Sequence, residues 1–276
     1  MDSKLNQLVT DGYCVFENVL SDDLLHRLRI ASDNVLDANE YATKKNNQGN
    51  IVAIQYQDTA FLDLITWPRA INALHQLGFQ HPKYWSGFVI AKEPHEPPLY
   101  WHQDWVFWDE PESADPLPHQ LFLMYYLTDT RVENGCLRII PRSHIQRFDI
   151  HDLLGKGHDS DIRASTDYTH PLMSKHPPAV DVPVQAGDLV IGDARLLHSA
   201  NQNQTDTRRT VLTLWYLPRL DQASERVQAG FQQHLYVNPL HELTQDDLKR
   251  LQPLLLEGRA HGQQAEWNRV PGTLLQ

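Results

Sequence analysis

Leu121-Phe-Leu-Met-Tyr-Tyr-Leu127 is an unbroken run of seven apolar and aromatic residues. It is far too short to cross a membrane and reads as a strand buried on both faces. Working outward, Glu133-Asn134-Gly135 leads into a second apolar run, Cys136–Ile140. Asn-Gly is a hairpin signal, because both residues tolerate positive φ. Further strands are expected at Trp85–Ala91, Val180–Val184, Asp188–Ile191 and Thr210–Tyr216, with a short one at Gly12–Phe16. Glu93–Pro98, with three prolines or acidic neighbours at every turn, is incompatible with a regular element.

Helical signals lie at the two ends. Ser21 is placed to cap a helix that opens with Asp22 and Asp23 and carries Leu24, Leu25, Leu28 and Val35 at helical spacing, to about Asn39. A second helix is expected around Phe61–Leu77, with Pro68 as a kink or an internal start and Gly78 closing it. Thr244 and Asp247 have capping-box spacing and open a helix to about Glu257. Lys44–Asn50 reads as a loop, and residues 149–178, rich in His, Asp and Ser, as a long loop or lid. Helices, then many strands, then a helix predict an antiparallel β core with helices on one face. One domain over residues 1–276 is expected, its core at about 85–220.

The 276 residues are 41% hydrophobic, enough for a sizeable core, and carry a net charge of −11. That balance opposes nucleic acid or an anionic membrane as the main partner. Two cysteines, Cys14 and Cys136, cannot build a disulfide framework or a four-thiolate zinc site. The opening residues have no apolar core of a signal peptide, so a cytoplasmic protein is expected, with oligomeric state left open. A Gly-rich phosphate loop and a Gly-x-Ser-x-Gly elbow are both missing from the sequence.

The chemistry lies in Tyr100-Trp101-His102-Gln103-Asp104-Trp105. In an extended segment His102 and Asp104 point to the same side, where imidazole and carboxylate grip one ion. His198 follows 96 residues later, where a strand runs into a turn. Two imidazoles and one carboxylate on one face of an octahedron leave three open positions, the arrangement of non-haem Fe(II) oxygenases. Eleven residues beyond His198, Arg209 precedes an apolar strand, where a guanidinium can take a carboxylate in a bidentate pair. Alternation lets only one of Arg208 and Arg209 face inward, and Arg209 is the one assigned there.

Trp101-His102-Gln103-Asp104, Leu127-Thr128-Asp129, Glu133–Leu137, Ile140–His144, Gly187-Asp188, His198, Asn201 and Arg209 occur in an order that resembles the phytanoyl-CoA dioxygenase family, which includes ectoine hydroxylases. The resemblance runs over roughly residues 85–216. It implies a mainly β fold with flanking helices around a double-stranded β-helix, the cupin-like jelly roll. It also implies a dioxygenase that hydroxylates a small-molecule metabolite, using Fe(II), O2 and 2-oxoglutarate as co-substrate. His102, Asp104 and His198 match the family's iron ligands, and Arg209 matches the residue that holds the far carboxylate of 2-oxoglutarate. Trp108 falls where related hydroxylases place an aromatic at the substrate mouth. Where the family often has Ser two residues after the distal His, this chain has Ala200, with Ser199 one earlier.

Two other readings compete with that one: a cupin-type enzyme using another divalent metal, and a jelly roll that binds a small molecule without turnover. Trp105, Phe107 and Trp108 form a stripe that either packs the core or walls a substrate pocket. His144 reads as structural, while His95, His119, His151, His158, His170 and His176 fall in loops and read as solvated. The acidic net charge disfavours a CoA thioester, and the aromatic stripe favours a free, partly apolar metabolite.

Overall fold

The computed structural model describes residues 3–39, 48–54, 56, 58–155, 160–233, 243–256 and 263–275. Its framework is a six-stranded antiparallel sheet facing a three-stranded one. The larger sheet is built from β1 (Tyr13–Phe16), β2 (Asn50–Ala53), β3 (Lys83–Lys92), β4 (Leu121–Tyr126), β7 (Leu189–Asp193) and β9 (Arg209–Leu217), in the order β1-β7-β4-β9-β3-β2. The smaller is β6 (Val180–Val182), β5 (Leu137–Ile139) and β8 (His198–Ala200), in that order. Two facing antiparallel sheets, between which the chain crosses from β4 to β5 and then at every step from β6 to β9, make the jelly roll.

Strand alternation divides the core in two. Leu121, Leu123 and Tyr125 of β4 join Leu212, Leu214 and Tyr216 of β9 on the outer face, against helices α2 (Asp22–Asp37), α3 (Thr59–Ile65) and α4 (Pro68–Gln76). Phe122, Met124 and Tyr126 point the other way, into the space between the sheets with Leu137, Val182, Val190 and Val211. The apolar run 121–127 is therefore continuous because both its faces are buried.

Local chemistry explains the helices. Ser21 Oγ accepts from the Leu24 amide at 3.2 Å and starts α2, whose Leu24, Leu28 and Ala31 face the sheet. The span expected as one helix over 61–77 is two. Asp58 caps α3 by accepting from the Ala60 amide, and Pro68 opens α4 at its first position, where a missing N–H costs nothing. Short α1 (Ser3–Asp11), strand β2 and helix α6 (Glu225–Gln233) carry no signal strong enough to have been foreseen. The Asn134-Gly135 turn does not close a hairpin: β4 and β5 lie in different sheets, and the turn carries the chain between them. Gly135 has φ 87°, and a Cβ there would sit 2.7 Å from Lys92 Cδ.

Within 149–178 a short 3-10 turn (Asp149–Leu153) and α5 (Ser160–Ala164) are formed. Positions 156–159, which include His158, most of the loop at 44–50, and Glu257, the end expected for the C-terminal helix, lie outside the described residues; that helix, α7 (Gln245–Leu251), ends earlier and passes into a 3-10 turn at Gln252–Leu254. His119 and His151, expected to be solvated, are both buried. His119 pairs with Asp115 at 2.6 Å, and the His151 amide and ring close the turn at Phe148. His144 is buried too, its Nε2 donating to Val9 O at 3.0 Å. Among the described residues no helix is long and apolar enough to cross a membrane.

Candidate active site

The segment 99–105 runs antiparallel to β8 and the turn before it. His102 and His198 exchange both backbone hydrogen bonds, at 3.1 and 3.0 Å. The Asp104 and Trp105 amides both donate to Ala194 O, each at 2.8 Å. Gln103, on the opposite side of the segment, donates to Arg195 O. The turn itself is braced by a buried ion pair, Arg195 to Asp193 at 2.6 Å, with Arg195 also donating to Ser113 O and Asp115 O. His-x-Asp and the distal histidine are thus brought together by main-chain pairing.

His102, Asp104 and His198 are all buried, with ligand atoms within 4.8 Å of one another. Asp104 Oδ1 lies 3.9 Å from His102 Nε2, and Asp104 Oδ2 lies 3.6 Å from His198 Nε2. These spans suit one ion bonded at about 2 Å to each atom after a small inward shift. His102 Nδ1 lies 3.1 Å from Tyr100 O and His198 Nδ1 lies 3.0 Å from Leu196 O. A carbonyl only accepts, so each Nδ1 carries the proton and each Nε2 presents its lone pair to the centre. Burial, then the neighbouring His198, pushes His102 down to about 3, against the pull of Asp104, so its imidazole is neutral at physiological pH. Burial alone would raise the Asp104 carboxyl. The neighbouring His198 and His102, Arg269 and a hydrogen bond from Trp215 Nε1 (2.8 Å) outweigh it and hold Asp104 below the usual carboxylate range. Neutral imidazoles with an ionised carboxylate are the protonation state a divalent cation requires.

The triad opens into a cavity of about 670 Å3 between the sheets. Along β9, Arg209, Val211, Thr213 and Trp215 share one parity and all line it. Arg208 points to the outer face, where it pairs with Glu93, Asp33 and Asp37. The buried Arg209 guanidinium lies 5.8 Å from the Tyr126 ring and makes no hydrogen bond or ion pair among the described residues. Lys92 faces Arg209 across the β3–β9 register and is also buried, its Nζ donating to Pro97 O at 2.5 Å. Burial and then Arg209 push Lys92 below the usual lysine range, against Glu96. Two buried cations side by side, one of them unpartnered, form a receptor for a carboxylate. Ser199 and Ala200 both line the cavity, and the Ser199 hydroxyl is engaged in donating to Leu99 O and accepting from Arg138.

Trp108 is not at the mouth. It is fully buried with Trp105, Phe107, Phe231 and Trp85 in an aromatic core beyond the cavity wall. The stripe 105–108 packs the core, and the aromatics that line the cavity are Phe88, Tyr126, Trp215, Trp267 and Trp85, the last of which also borders that core. Trp215 had a legible signal, since it shares the parity of Arg209. Arg163 and Arg269, which also line the cavity, had none.

A jelly roll carrying a buried His-x-Asp…His cluster next to an open carboxylate receptor defines a non-haem metal oxygenase scaffold. Residues 8–211 match the phytanoyl-CoA dioxygenase (PhyH) family, and the chain belongs to it. Iron and 2-oxoglutarate are typical of that family. The chain is 28% identical over 163 residues to phytanoyl-CoA dioxygenase domain-containing protein 1 of Mus musculus, a match covering 59% of this chain and 54% of the mouse protein. It is 24% identical over 259 residues to an ectoine dioxygenase of Bordetella parapertussis, covering 88% and 82%. The match thus spans about half the length of the mouse relative. Among solved structures, the non-haem alpha ketoglutarate dependent carbocyclase SnoK from nogalamycin biosynthesis superposes with TM-score 0.59 at 24% identity, covering 79% of this chain and 83% of that one.

Proposed function

We propose that this chain is an Fe(II)- and 2-oxoglutarate-dependent oxygenase that hydroxylates an unactivated C–H bond of a small-molecule metabolite, releasing succinate and CO2. The observation that carries the reading is one cavity holding both the buried His102–Asp104–His198 cluster and the unpartnered Arg209 guanidinium. A site for a metal alone needs no buried cation aimed at nothing, and a passive binder needs no such cluster. Bound iron supplies the activation of O2 that no protein side chain can perform.

The chain's own residues do the rest. His102, Asp104 and His198 would hold the ion from one wall of the cavity. Trp215, donating to Asp104 Oδ2, holds the carboxylate in place beside the two histidines, where it would take the metal. Arg209, with Lys92 beside it, holds the far carboxylate of the co-substrate so that its 2-oxo acid end reaches the metal. Phe122 lies against His198, ring centroids 4.8 Å apart, and keeps water off that ligand.

The test is conversion of 2-oxoglutarate to succinate by protein reconstituted with Fe(II) in air, with His102→Ala as control. Succinate that requires both Fe(II) and His102 is the expected result. Failure of the wild-type chain to bind 2-oxoglutarate, together with no succinate, would overturn the reading.

A further inference from the structure

Lys92 and Arg209 are direct partners in the β3–β9 ladder, and both line the cavity, so their side chains leave the sheet on one face, side by side. Both are buried. Like charges directly opposite in a ladder are destabilising, and a low-dielectric interior makes them more so. The pair therefore costs the fold stability unless an anion lies between its members. Among the described residues none does. The Glu93 carboxylate pairs with Arg208 on the outer face. That of Glu96, whose charge reaches both cations, is turned back on its own loop. It accepts there from the Glu93 amide at 3.0 Å and forms no ion pair with either cation.

The lysine stands in a built position. Its stem crosses Gly135, where a Cβ would sit 2.7 Å from Lys92 Cδ and 3.5 Å from Cε. Asn203 Nδ2 donates to the Lys92 carbonyl at 3.1 Å, and Lys92 Nζ donates to Pro97 O at 2.5 Å. An ammonium carries three donors, and Pro97 takes one. On β8 a carboxylate finds no hydroxyl to spare: Ala200 has none, and that of Ser199 is engaged with Leu99 O and Arg138. A guanidinium fork satisfies one edge of a carboxylate and leaves further lone pairs for a second donor. Around Lys92 stand Arg209 on β9, Arg138 on β5 and Glu96 in the loop after β3, with the Tyr126 hydroxyl and the Cys136 thiol beside Arg209. Burial, then Arg209, push the lysine below its usual range, against Glu96, and Arg138 adds to the push.

From this arrangement we propose that Lys92 binds the far carboxylate of 2-oxoglutarate directly, supplying the donor that β8 lacks, and that it takes up a proton together with that carboxylate. The proposal rests on the oxygenase reading and adds to it the residue that selects a dicarboxylate and a pH dependence of co-substrate binding. An amine that shares a dry pocket with a guanidinium sheds its proton, and a carboxylate set between the two restores it. Affinity for 2-oxoglutarate therefore falls as pH rises above the point where Lys92 of the ligand-free protein loses its charge.

The experiment is anaerobic calorimetry on the full chain loaded with Fe(II). It is titrated with 2-oxoglutarate and with 2-oxopentanoate, the same 2-oxo acid without the far carboxylate. At pH 7 the wild type is expected to prefer 2-oxoglutarate. Lys92→Met keeps most of the stem and removes the charge. It should cut that preference by about tenfold to a hundredfold, the range of a charge-assisted pair, with 2-oxopentanoate bound as before. Lys92→Gln, which retains a donor for Pro97 O, should behave likewise. Repeated at pH 8 in buffers of different ionisation enthalpy, the same titrations count protons. The wild type should take up roughly one more proton with 2-oxoglutarate than with 2-oxopentanoate, and the variants no more with one than with the other. The wild-type count needs no variant to fold. The proposal is overturned if the two acids take up equal numbers of protons in the wild type or if the wild type shows no preference for the diacid. It is equally overturned if a folded variant keeps the wild-type preference, or weakens both acids alike, the mark of a purely structural lysine. A wild type that does not bind 2-oxoglutarate at all fails the oxygenase reading, and the proposal with it.

Discussion

Gly192→Ala should damage the metal centre without touching a ligand. Gly192 lies on the inner face of β7, and a Cβ there would sit 2.0, 2.4 and 2.7 Å from three atoms of the Phe122 ring. Ordinary carbon contacts are about 3.5–4.0 Å, so the ring must retreat by roughly 1.5 Å. Its retreat is blocked, because the other side of the ring meets His198 at 4.8 Å between centroids. The strain must be relieved by moving Phe122 into His198 or by bending β7. Overpacking a filled interior costs typically 1–3 kcal/mol, and the closeness of all three contacts places this case near 3. At about 2–4 °C per kcal/mol for a chain of this size, the metal-free protein should melt roughly 6–12 °C lower. Fe(II) affinity should fall about tenfold or more through the displaced His198. Adding Phe122→Leu removes the ring atoms that the Cβ strikes, so the double variant should be less destabilised than the two single costs added together, by about 1 kcal/mol or more. Thermal unfolding of metal-free protein and Fe(II) titration measure the two effects separately. An unchanged melting temperature with wild-type Fe(II) affinity would refute the claim that Gly192 makes room for Phe122 behind the ligand.

Arg209→Gln should weaken 2-oxoglutarate binding by about 10- to 150-fold, the 1.5–3 kcal/mol of a charge-assisted pair, in an anaerobic titration, and Arg209→Lys should recover only part, since a point charge does not replace a planar fork. Trp215→Phe deletes the donor to Asp104 Oδ2 and should lower Fe(II) affinity about 10-fold or more while leaving 2-oxoglutarate bound to the loaded protein. Asn203→Ala should cost roughly 2–4 kcal/mol in urea unfolding, because the fully buried Asn203 amide donates to Lys92 O, Glu93 O and Thr207 O and those carbonyls would be left unpaired. Burial would raise the Asp193 carboxyl, but the Arg195 charge outweighs it and holds Asp193 below the usual range. A depressed folded-state pKa gives stability that is present above about pH 4 and is lost as pH falls through the folded value. Asp193→Asn should therefore be less stable than wild type at pH 7, and the gap should narrow on going to pH 3.

Much of the architecture could be read from residue patterns because strands and caps are local statements. A seven-residue apolar run has nowhere to be but between two layers, and Ser21 with Asp22 and Asp23 can only begin a helix. What was hidden is what depends on pairing partners far along the chain. The Asn134-Gly135 turn has the chemistry of a hairpin, but hairpin closure requires β4 and β5 to pair, and β4 already has β7 and β9 on its two edges. The same limit explains His119 and His151. Their neighbours in sequence are polar, but Asp115 and the Phe148 turn, packed under the active-site segment, remove them from water. Trp108 was misplaced for a related reason. Three aromatics beside a metal motif look alike in sequence, and α6, itself missed, decides the matter by bringing Phe231 against Phe107 at 4.9 Å and closing a core around the stripe.

Parity along a single strand accounts for most of the chemistry. Arg209, Val211, Thr213 and Trp215 alternate with Thr210, Leu212, Leu214 and Tyr216, and the alternation sends one set to the cavity and the other to the helices. A shift of β9 by one residue would bring Arg208, with its three carboxylate partners, into the barrel and put Trp215 out of reach of Asp104. The outer ion pairs of Arg208 with Asp33 and Asp37 on α2 and with Glu93 beyond β3 therefore help to hold the register on which the inner site depends. They are partly exposed, so each contributes little to stability alone. Their contribution is to make the shifted register costly: it would bury a guanidinium without its partners and expose Arg209. The cation that faces solvent-side carboxylates and the cation that faces the co-substrate are neighbours in sequence because a strand, having two sides, needs one of each.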